Sequence, residues 1–213
     1  DANTNSNYTS LNASNDVSLN NTAVIVAQKD LSINAKNVNI SGQVLADTIN
    51  SHAQVNYTSG EHGKVLAQQT LNLNAKNINL NGVTGAKDLN LVAENLLQKG
   101  HSFAENNYLI NVKDAQLLGK NEADQMSMNV TNSLTQHKDS SISVSDDLTI
   151  NAQKLHHLGH LIANNLTVDA DELIQDGYFS AVDQINLNSS SATLSGMTVG
   201  NDVSILSQQF TNK

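Results

Sequence analysis

One short phrase recurs almost without interruption between residues 147 and 206. It opens with alternating apolar residues at Leu148, and further copies open at Leu166 and Ile185, after 18 and then 19 residues. In the second and third copies a glycine, Gly177 or Gly196, follows 11 residues after the opening. Identical offsets in successive copies indicate a stacked repeat, in which each unit buries its apolar face against its neighbours.

The runs within each phrase predict strands. They span three to five residues and alternate apolar with polar side chains, which is too short for helices. Coils of 18 to 20 residues predict an all-β fold, a parallel β-helix, and each coil adds about 4.8 Å to a rod on the order of 50 Å long. The composition agrees, because 38% hydrophobic and only 3% aromatic residues suit thin layers of small aliphatic side chains. Proline, which would remove hydrogen-bond donors, is absent from the sequence.

Two residue types are assigned to the corners of the coils. We expect the recurrent glycine at a corner that needs a positive φ, since glycine adopts it without steric penalty. Asparagine is expected both at left-handed corners and in side-chain ladders that join successive coils.

An irregular start and two interruptions break the repeat. The apolar anchors of residues 1–30 are unevenly spaced, so we interpret this segment as irregular first coils. The register restarts late around residues 52–63 and 131–140, and both polar stretches are predicted to be inserted corner loops. The expected organisation is a single β-helical repeat domain over residues 1–213, an internal fragment of a longer chain.

The charge balance argues against nucleic acid as a partner. The net charge is −9 and the pI is near 5.0, whereas binding to phosphates requires clustered cations. All eleven basic residues are lysine, so the planar fork with which arginine holds anions is missing. The sequence has no cysteine and no apolar run that could cross a bilayer, so we expect neither disulfides nor membrane insertion of this segment.

The phrase resembles the repeat of filamentous haemagglutinin and its relatives, the large exoproteins of two-partner secretion in Gram-negative bacteria. The resemblance lies in the order Leu-x-Ile-x-Ala, apolar patch, glycine, x-Leu-Ile-Ala-x-x-Leu, and it covers nearly the whole chain. The segments that carry it are Leu31–Ile49, Leu71–Leu89, Leu148–Leu166, Leu166–Ile185 and Ile185–Val203.

This resemblance implies a right-handed β-helical shaft, without catalytic function, that extends a large exoprotein. It implies an outer-membrane two-partner secretion transporter as a partner, bound by a part of the parent chain outside this segment. A face that binds a protein or glycan receptor on a target cell is a further expectation, for cell adhesion or for contact-dependent toxin delivery. The implied location is the cell surface, or the surroundings, of a Gram-negative bacterium.

The first predicted corner loop contains three candidate binding residues. Tyr57, Glu61 and His62 offer an aromatic ring, a carboxylate and a titratable ring within a few residues. Loops held by a rigid scaffold commonly carry recognition residues. The alternative is an ordinary solvated insertion.

Three further candidates share a position in the repeat. His101, His160 and Tyr178 each follow a repeat glycine directly, and we expect them to line one corner edge of the rod. Such an edge could contact a ligand along the axis. Isolated exposed aromatic residues are the alternative interpretation, because they are common on protein surfaces.

Neither a metal centre nor a cofactor site is expected. His156, His157 and His160 are close in sequence, but consecutive side chains of a strand point to opposite faces, so a zinc site would lack convergent ligands. Asp146 and Asp147 could suggest calcium, but the glycine-rich turns of calcium-binding β-rolls are missing. We therefore interpret these acids as turn residues on a solvated face.

A polysaccharide lyase or hydrolase that acts on surface glycans is the second class of function considered. Such a site needs carboxylates, alone or with basic side chains, on neighbouring coils. The outward positions of the repeat are mostly Asn, Ser, Thr and Gln, so we expect no enzyme. The outer face distinguishes an enzyme from a shaft. A groove with acids from three coils would favour catalysis, and a surface without such a groove would favour a shaft.

Overall fold

The computed structural model describes residues 3–213, with side chains from residue 6 onward. The described residues form one parallel sheet of fifteen strands and no helix, which confirms the all-β prediction. Accordingly, this part of the chain has no helix that could span a membrane. The strands are β1 (Asn3–Asn12), β2 (Asp16–Leu19), β3 (Val24–Ile40), β4 (Gln43–Ser59), β5 (Lys64–Leu80), β6 (Val83–Gln98), β7 (His101–Leu117), β8 (Lys120–Ala123), β9 (Gln125–Gln136), β10 (Ser141–Val144), β11 (Asp147–His157), β12 (His160–Gln175), β13 (Tyr178–Leu194), β14 (Met197–Val199) and β15 (Asp202–Asn212).

Each long strand winds around almost one complete coil. In β5, Leu71 lies opposite Ile49 of the preceding coil and Leu89 of the following coil, in parallel register. The chain forms about eleven such coils of roughly nineteen residues, so the predicted parallel β-helix is confirmed. The strands are longer than the short runs expected from the sequence, because pairing continues through the bends. Between β5 and β6 the register shifts at one such bend, between Leu66 and Thr70.

The core is a stack of aliphatic side chains inside the coils. Buried residues alternate with exposed or half-buried ones along β5, and Leu71, Leu73 and Ile78 are enclosed almost completely. Burial of an aliphatic side chain of this size contributes about 1.5–3 kcal/mol. Since the layers continue from coil to coil, each coil is stabilised by its neighbours.

The repeat glycine is required by close stacking of the corners and not by its φ. No described residue, glycine or other, has a positive φ, so the positive-φ corners predicted for glycine and asparagine are wrong. A Cβ on Gly100 would overlap the carbonyl oxygen of Gly82 in the preceding coil, and a Cβ on Gly82 would overlap that of Gly63. The corners approach so closely because they are hydrogen-bonded, with the N–H of His101 donating to Gly82 at 3.0 Å.

The predicted corner loop over residues 52–63 is mostly strand. β4 continues to Ser59, and only residues 60–63 form the corner. One extra residue is absorbed inside β4, where the register against β5 shifts between Ala53 and Asn56. The insertion predicted as one protruding loop is thus divided among the wide corner, the irregularity within β4 and one extra residue in the bend of β5 between Ala67 and Thr70.

The second predicted loop, residues 131–140, follows the same pattern. β9 continues to Gln136, so the corner comprises residues 137–140 alone. The N–H of Ser140 closes this corner on the carbonyl oxygen of His137 at 3.0 Å. Ser140 takes the place of the repeat glycine, because its own carbonyl oxygen accepts the N–H of His160 in the next coil.

The first coils are more regular than expected. Residues 1–2 of the predicted irregular segment lie outside the described residues. β1 and β2 both pair in parallel with β3, and the only register shift in these two pairings lies between Ser6 and Tyr8. The irregularity predicted for residues 1–30 is therefore limited to that shift, to the short interval between the two strands and to a register shift of β3 against β4 between Val26 and Asp30.

Asparagine ladders join the coils from outside, as predicted. The Nδ2 atom of Asn56 donates to Oδ1 of Asn37 at 2.9 Å, and that of Asn77 donates to Asn56 at 3.0 Å. The series continues with Asn95, whose Nδ2 donates to Asn77 at 2.8 Å. Each amide thus uses its oxygen towards one coil and its nitrogen towards the other.

A column of buried polar side chains joins the corners from inside. The Nε2 atom of Gln98 donates to the carbonyl oxygen of its own corner at 2.6 Å and to that of Lys120 in the next coil at 3.1 Å. Gln136 and Gln175 bridge two corners in the same way. His157 occupies the position between these two glutamines.

Candidate functional site

Tyr57 is a core residue, which contradicts its expected place on an exposed loop. Its side chain is fully buried in a column between Val38 and Ile78. Burial raises the pKa of its phenol well above the ordinary value. The reason is that β4 continues past Tyr57, and the irregularity before Asn56 turns the ring inward. Tyr57 is therefore not available to a partner.

Glu61 and His62 are exposed at the wide corner of residues 60–63. The N–H of Gly63 donates to the carbonyl oxygen of Gly60 at 2.9 Å, so the corner is closed by its own backbone. Within the described part of the chain, the side chains of Glu61 and His62 form no hydrogen bond or ion pair. Both are accessible to a partner, and their role in binding stays a prediction.

His101, His160 and Tyr178 lie in one column along the rod, which we call the corner edge. The column runs from His101 through Lys120 and Ser141 to His160 and Tyr178. His160 and Tyr178 occupy consecutive coils, with ring centroids 6.0 Å apart. His101 lies three coils from His160, about 14 Å along the axis. Only His160 and Tyr178 can therefore contact the same small group of a partner.

At the other end of the corner edge, His101 belongs to a charged cluster. Its Nε2 atom lies 2.6 Å from Oε2 of Glu122, and Nζ of Lys120 lies 2.6 Å from Oε1 of the same carboxylate. The hydrogen bond from Lys120 is the largest of the effects that hold the pKa of Glu122 below its usual value. Sequence reasoning missed Lys120 and Glu122, because neither residue type nor spacing marks them out.

The three neighbouring histidines diverge, as the alternation of a strand predicts. His157 points into the core, His160 lies on the corner edge, and Nε2 of His156 lies 3.1 Å from Oδ2 of Asp176. Ser195 donates to Asp176 at 2.8 Å, and this bond is the largest cause of the lowered pKa of that carboxyl. Among the described residues, no group of three or more His, Asp or Glu side chains could hold a metal ion.

A groove of about 660 Å³ on the outer surface is lined by acids from three coils, and we call it the polar trough. Its acids are Asp147, Asp183 and Asp202. Asp147 and Asp202 share a column three coils long, about 14 Å, and Asp183 belongs to the coil before Asp202. The other polar lining residues are Thr149, Asn165, Thr167, Gln184, Asn186 and Asn201.

A groove with acids from three coils is the feature that would favour an enzyme, and the polar trough is such a groove. Its presence was not predicted from the sequence. One signal was available, because Asp147 and Asp202 each precede the opening of a phrase by one residue. The concave shape of the surface beside them could not be inferred from the spacing.

A second groove, of about 580 Å³, has an apolar floor, and we call it the apolar groove. Val26, Leu45 and Leu66 occupy successive outward positions along it. The next position is Gly85, and the ring of Phe103 from the following coil lies directly over this glycine, where a Cβ would overlap it. Four consecutive outward positions are thus covered by apolar atoms, on a rod whose outer face is otherwise mostly polar.

No family model matches the chain, and no curated protein or solved structure was found to be similar to it. A parallel β-helix suits a shaft as well as an enzyme.

Proposed function

We propose that this chain is a non-catalytic shaft segment of a large bacterial exoprotein similar to filamentous haemagglutinin. Each coil coincides with one copy of the repeat phrase, and Leu148, Leu166 and Ile185 lie in line along the axis. A parallel β-helix converts the number of repeats directly into length. On this proposal the segment extends the parent molecule, for cell adhesion or for contact-dependent toxin delivery.

One observation carries this proposal, namely the backbone ladder at the glycine corner. The N–H of Lys64 donates to Gly42 at 2.9 Å, and corresponding bonds continue as far as the N–H of Met197, which donates to Gly177 at 3.1 Å. Each step adds about 4.8 Å, so eleven coils give a rod on the order of 50 Å long. Such a ladder supplies length and stiffness without any catalytic group.

The parent protein is proposed to be exported by a Gram-negative bacterium to its surface or surroundings. An outer-membrane two-partner secretion transporter would bind a part of the parent chain outside this segment. Since each coil contacts only its neighbours, folding can propagate coil by coil after export. The absence of cysteine is compatible with this route, because no disulfide has to form.

The receptor-binding face is proposed to lie on the corner edge and the wide corner. His160 and Tyr178 present two rings in consecutive coils, and Glu61 and His62 project from residues 60–63. His101 lies on the same edge, but Glu122 already occupies its Nε2 atom.

A polysaccharide lyase or hydrolase is the second candidate, and the polar trough favours it. Asp183 and Asp202 come from consecutive coils, and a hydrolase works with two carboxyl groups about 5–9.5 Å apart. However, the trough is lined by no basic side chain, so a lyase would have no cation to stabilise the carbanion that it forms, and the Asn, Gln and Thr side chains of the trough can bind a sugar without cleaving it. This difference makes the shaft the preferred proposal.

Turnover decides between the two candidates. The purified chain is incubated with cellulose, chitin, pectate and alginate, and new reducing ends and the absorbance of unsaturated uronates are measured. The shaft proposal predicts no more product than the double variant Asp183→Asn/Asp202→Asn forms. Product formation that this double variant loses would contradict the shaft and establish the enzyme.

A further inference from the structure

The polar trough continues along the rod beyond its acids. A second depression, of about 420 Å³, shares Asp147 and Thr149 with it and extends to Asn90. One wall of the combined groove spans five coil steps, about 24 Å. The side chains of this wall, coil by coil, are Asn107, Gln125, Asp147, Asn165, Gln184 and Asp202.

The opposite wall is formed by one column of side chains, which are polar except for the half-buried Leu109 between Asn90 and Ser127. In earlier coils the same column forms a ladder, with Asn72 donating to Asn50 at 2.7 Å and Asn90 donating to Asn72 at 2.8 Å. Further along, Thr149 and Thr167 occupy this column. Their hydroxyls make no hydrogen bond within the described residues and can pair with a molecule in the groove.

The lining excludes several classes of ligand. Three carboxylates and no cation repel an anionic molecule, so nucleic acid and polyuronates are disfavoured. Of the apolar residues that line the combined groove, Leu148, Tyr108 and Met126 are at most 2% exposed and only Leu109 is half-buried, so no apolar pocket exists for an acyl chain or an apolar peptide side chain. A ligand that suits this surface carries no negative charge, and it offers many groups that both donate and accept hydrogen bonds.

We propose that the polar trough binds a linear, neutral glycan that lies along the rod. Sugar hydroxyls pair with the carboxylate of Asp147, the amide of Gln184 and the hydroxyl of Thr167. The coil repeat of about 4.8 Å is comparable to the length of one pyranose unit, so successive sugars meet equivalent side chains. The inference rests on the proposed function, because it gives a non-catalytic shaft a second binding surface, separate from the corner edge and the wide corner.

The test measures binding of neutral oligosaccharides to the complete chain. The probes are maltohexaose, laminarihexaose and chitohexaose, with hexagalacturonate as the anionic counterpart, and the method is isothermal titration calorimetry. The expected result is saturable binding of at least one neutral probe and none of hexagalacturonate. The variant Thr149→Val/Thr167→Val keeps the shape of the groove but removes two hydroxyls, and should weaken binding at least tenfold.

The matched control is Thr135→Val/Thr193→Val. These threonines are also half-buried on strands, but they lie outside the trough, so affinity should not change. No saturable binding of any neutral probe, stronger binding of hexagalacturonate, or an equal loss in the control would overturn the proposal. Small-angle X-ray scattering of the same samples separates failure of the glycan site from failure of the shaft proposal. A rod that binds no glycan refutes the glycan site alone, whereas a compact particle refutes the shaft.

Discussion

Nδ1 of His157 lies 2.6 Å from Oε1 of Gln136, inside the core and between consecutive coils. Gln136 uses its amide nitrogen on the carbonyl oxygen of His160 at 2.9 Å, which leaves Oε1 to accept from the imidazole. Burial is the largest of the effects that lower the pKa of His157 to about 4. The ring is therefore neutral at pH 7, and its two nitrogens share one proton between two acceptors, because Nε2 lies 3.2 Å from the carbonyl oxygen of Tyr178.

Acid is predicted to destabilise the fold through His157. The unfolded pKa is about 6.5, so between pH 6.5 and 4 the unfolded chain binds a proton that the folded chain does not. The free energy of unfolding should therefore fall by about 2–3 kcal/mol from pH 7 to pH 4.5 through this group. His157→Gln copies Gln136 and Gln175 and should remove this contribution. Urea unfolding at both pH values measures it.

His160→Gln is the control for the His157 experiment. His160 is exposed on the corner edge, so this variant should keep the pH dependence of the parent chain. The same pH dependence in His157→Gln and in the parent would show that the buried ring does not contribute.

Removal of the Tyr57 hydroxyl is predicted to be harmless. The hydroxyl is buried and has no hydrogen-bond partner in the described structure, which costs free energy in the folded state. Tyr57→Phe should leave the free energy of unfolding unchanged or raise it by up to about 1 kcal/mol. Tyr108→Phe is the matched comparison, because the Tyr108 hydroxyl lies 3.5 Å from Oδ1 of Asn121. Its removal should lower the free energy of unfolding more than removal of the Tyr57 hydroxyl does. A marked loss in Tyr57→Phe would contradict this account.

Corner stacking is tested by two glycine variants. Gly100→Ala places a Cβ against the carbonyl oxygen of Gly82, a backbone atom that cannot rotate away, and should cost about 1–3 kcal/mol or more. In Gly60→Ala the nearest atom is the rotatable Oγ of Ser41 at 2.8 Å, so stability should change little. Thermal unfolding compares them, and equal melting temperatures would refute the steric explanation of the repeat glycine.

The asparagine ladder is expected to stabilise the rod measurably. Asn77→Ala breaks the bonds to both Asn56 and Asn95 and should lower the free energy of unfolding by about 1–2 kcal/mol. Asn79 lies in the same strand and makes no hydrogen bond through its side chain within the described residues, so Asn79→Ala is the control. If both variants lose the same stability, side-chain ladders do not hold the coils together.

The stacking of coils could be predicted because the phrase fixes which residues face inward. The same anchor places His160 and Tyr178 in one column, since each directly follows a glycine that occupies an equivalent corner. The position of a residue relative to a recurring corner can thus be predicted from spacing alone wherever the intervening coil has no insertion.

The sequence alone was insufficient to locate the inserted residues within a coil. The late restart after Ile49 gives the number of extra residues but not their place, and the structure divides them among β4, residues 60–63 and the bend of β5 between Ala67 and Thr70. Tyr57 was therefore assigned to a loop although it packs in the core. The role of the glycine was also mistaken, because a positive φ and a close backbone approach both select glycine and only coordinates distinguish them.

The central claim is that the coils are interchangeable units of length, and a deletion tests it most directly. Removal of residues 64–100 takes out two complete coils and joins Gly63 to His101, which occupies the same place in its coil as Lys64 does two coils earlier. Small-angle X-ray scattering should then give a folded rod that is shorter by about 10 Å. An unfolded chain, or a folded particle of unchanged length, would contradict the account.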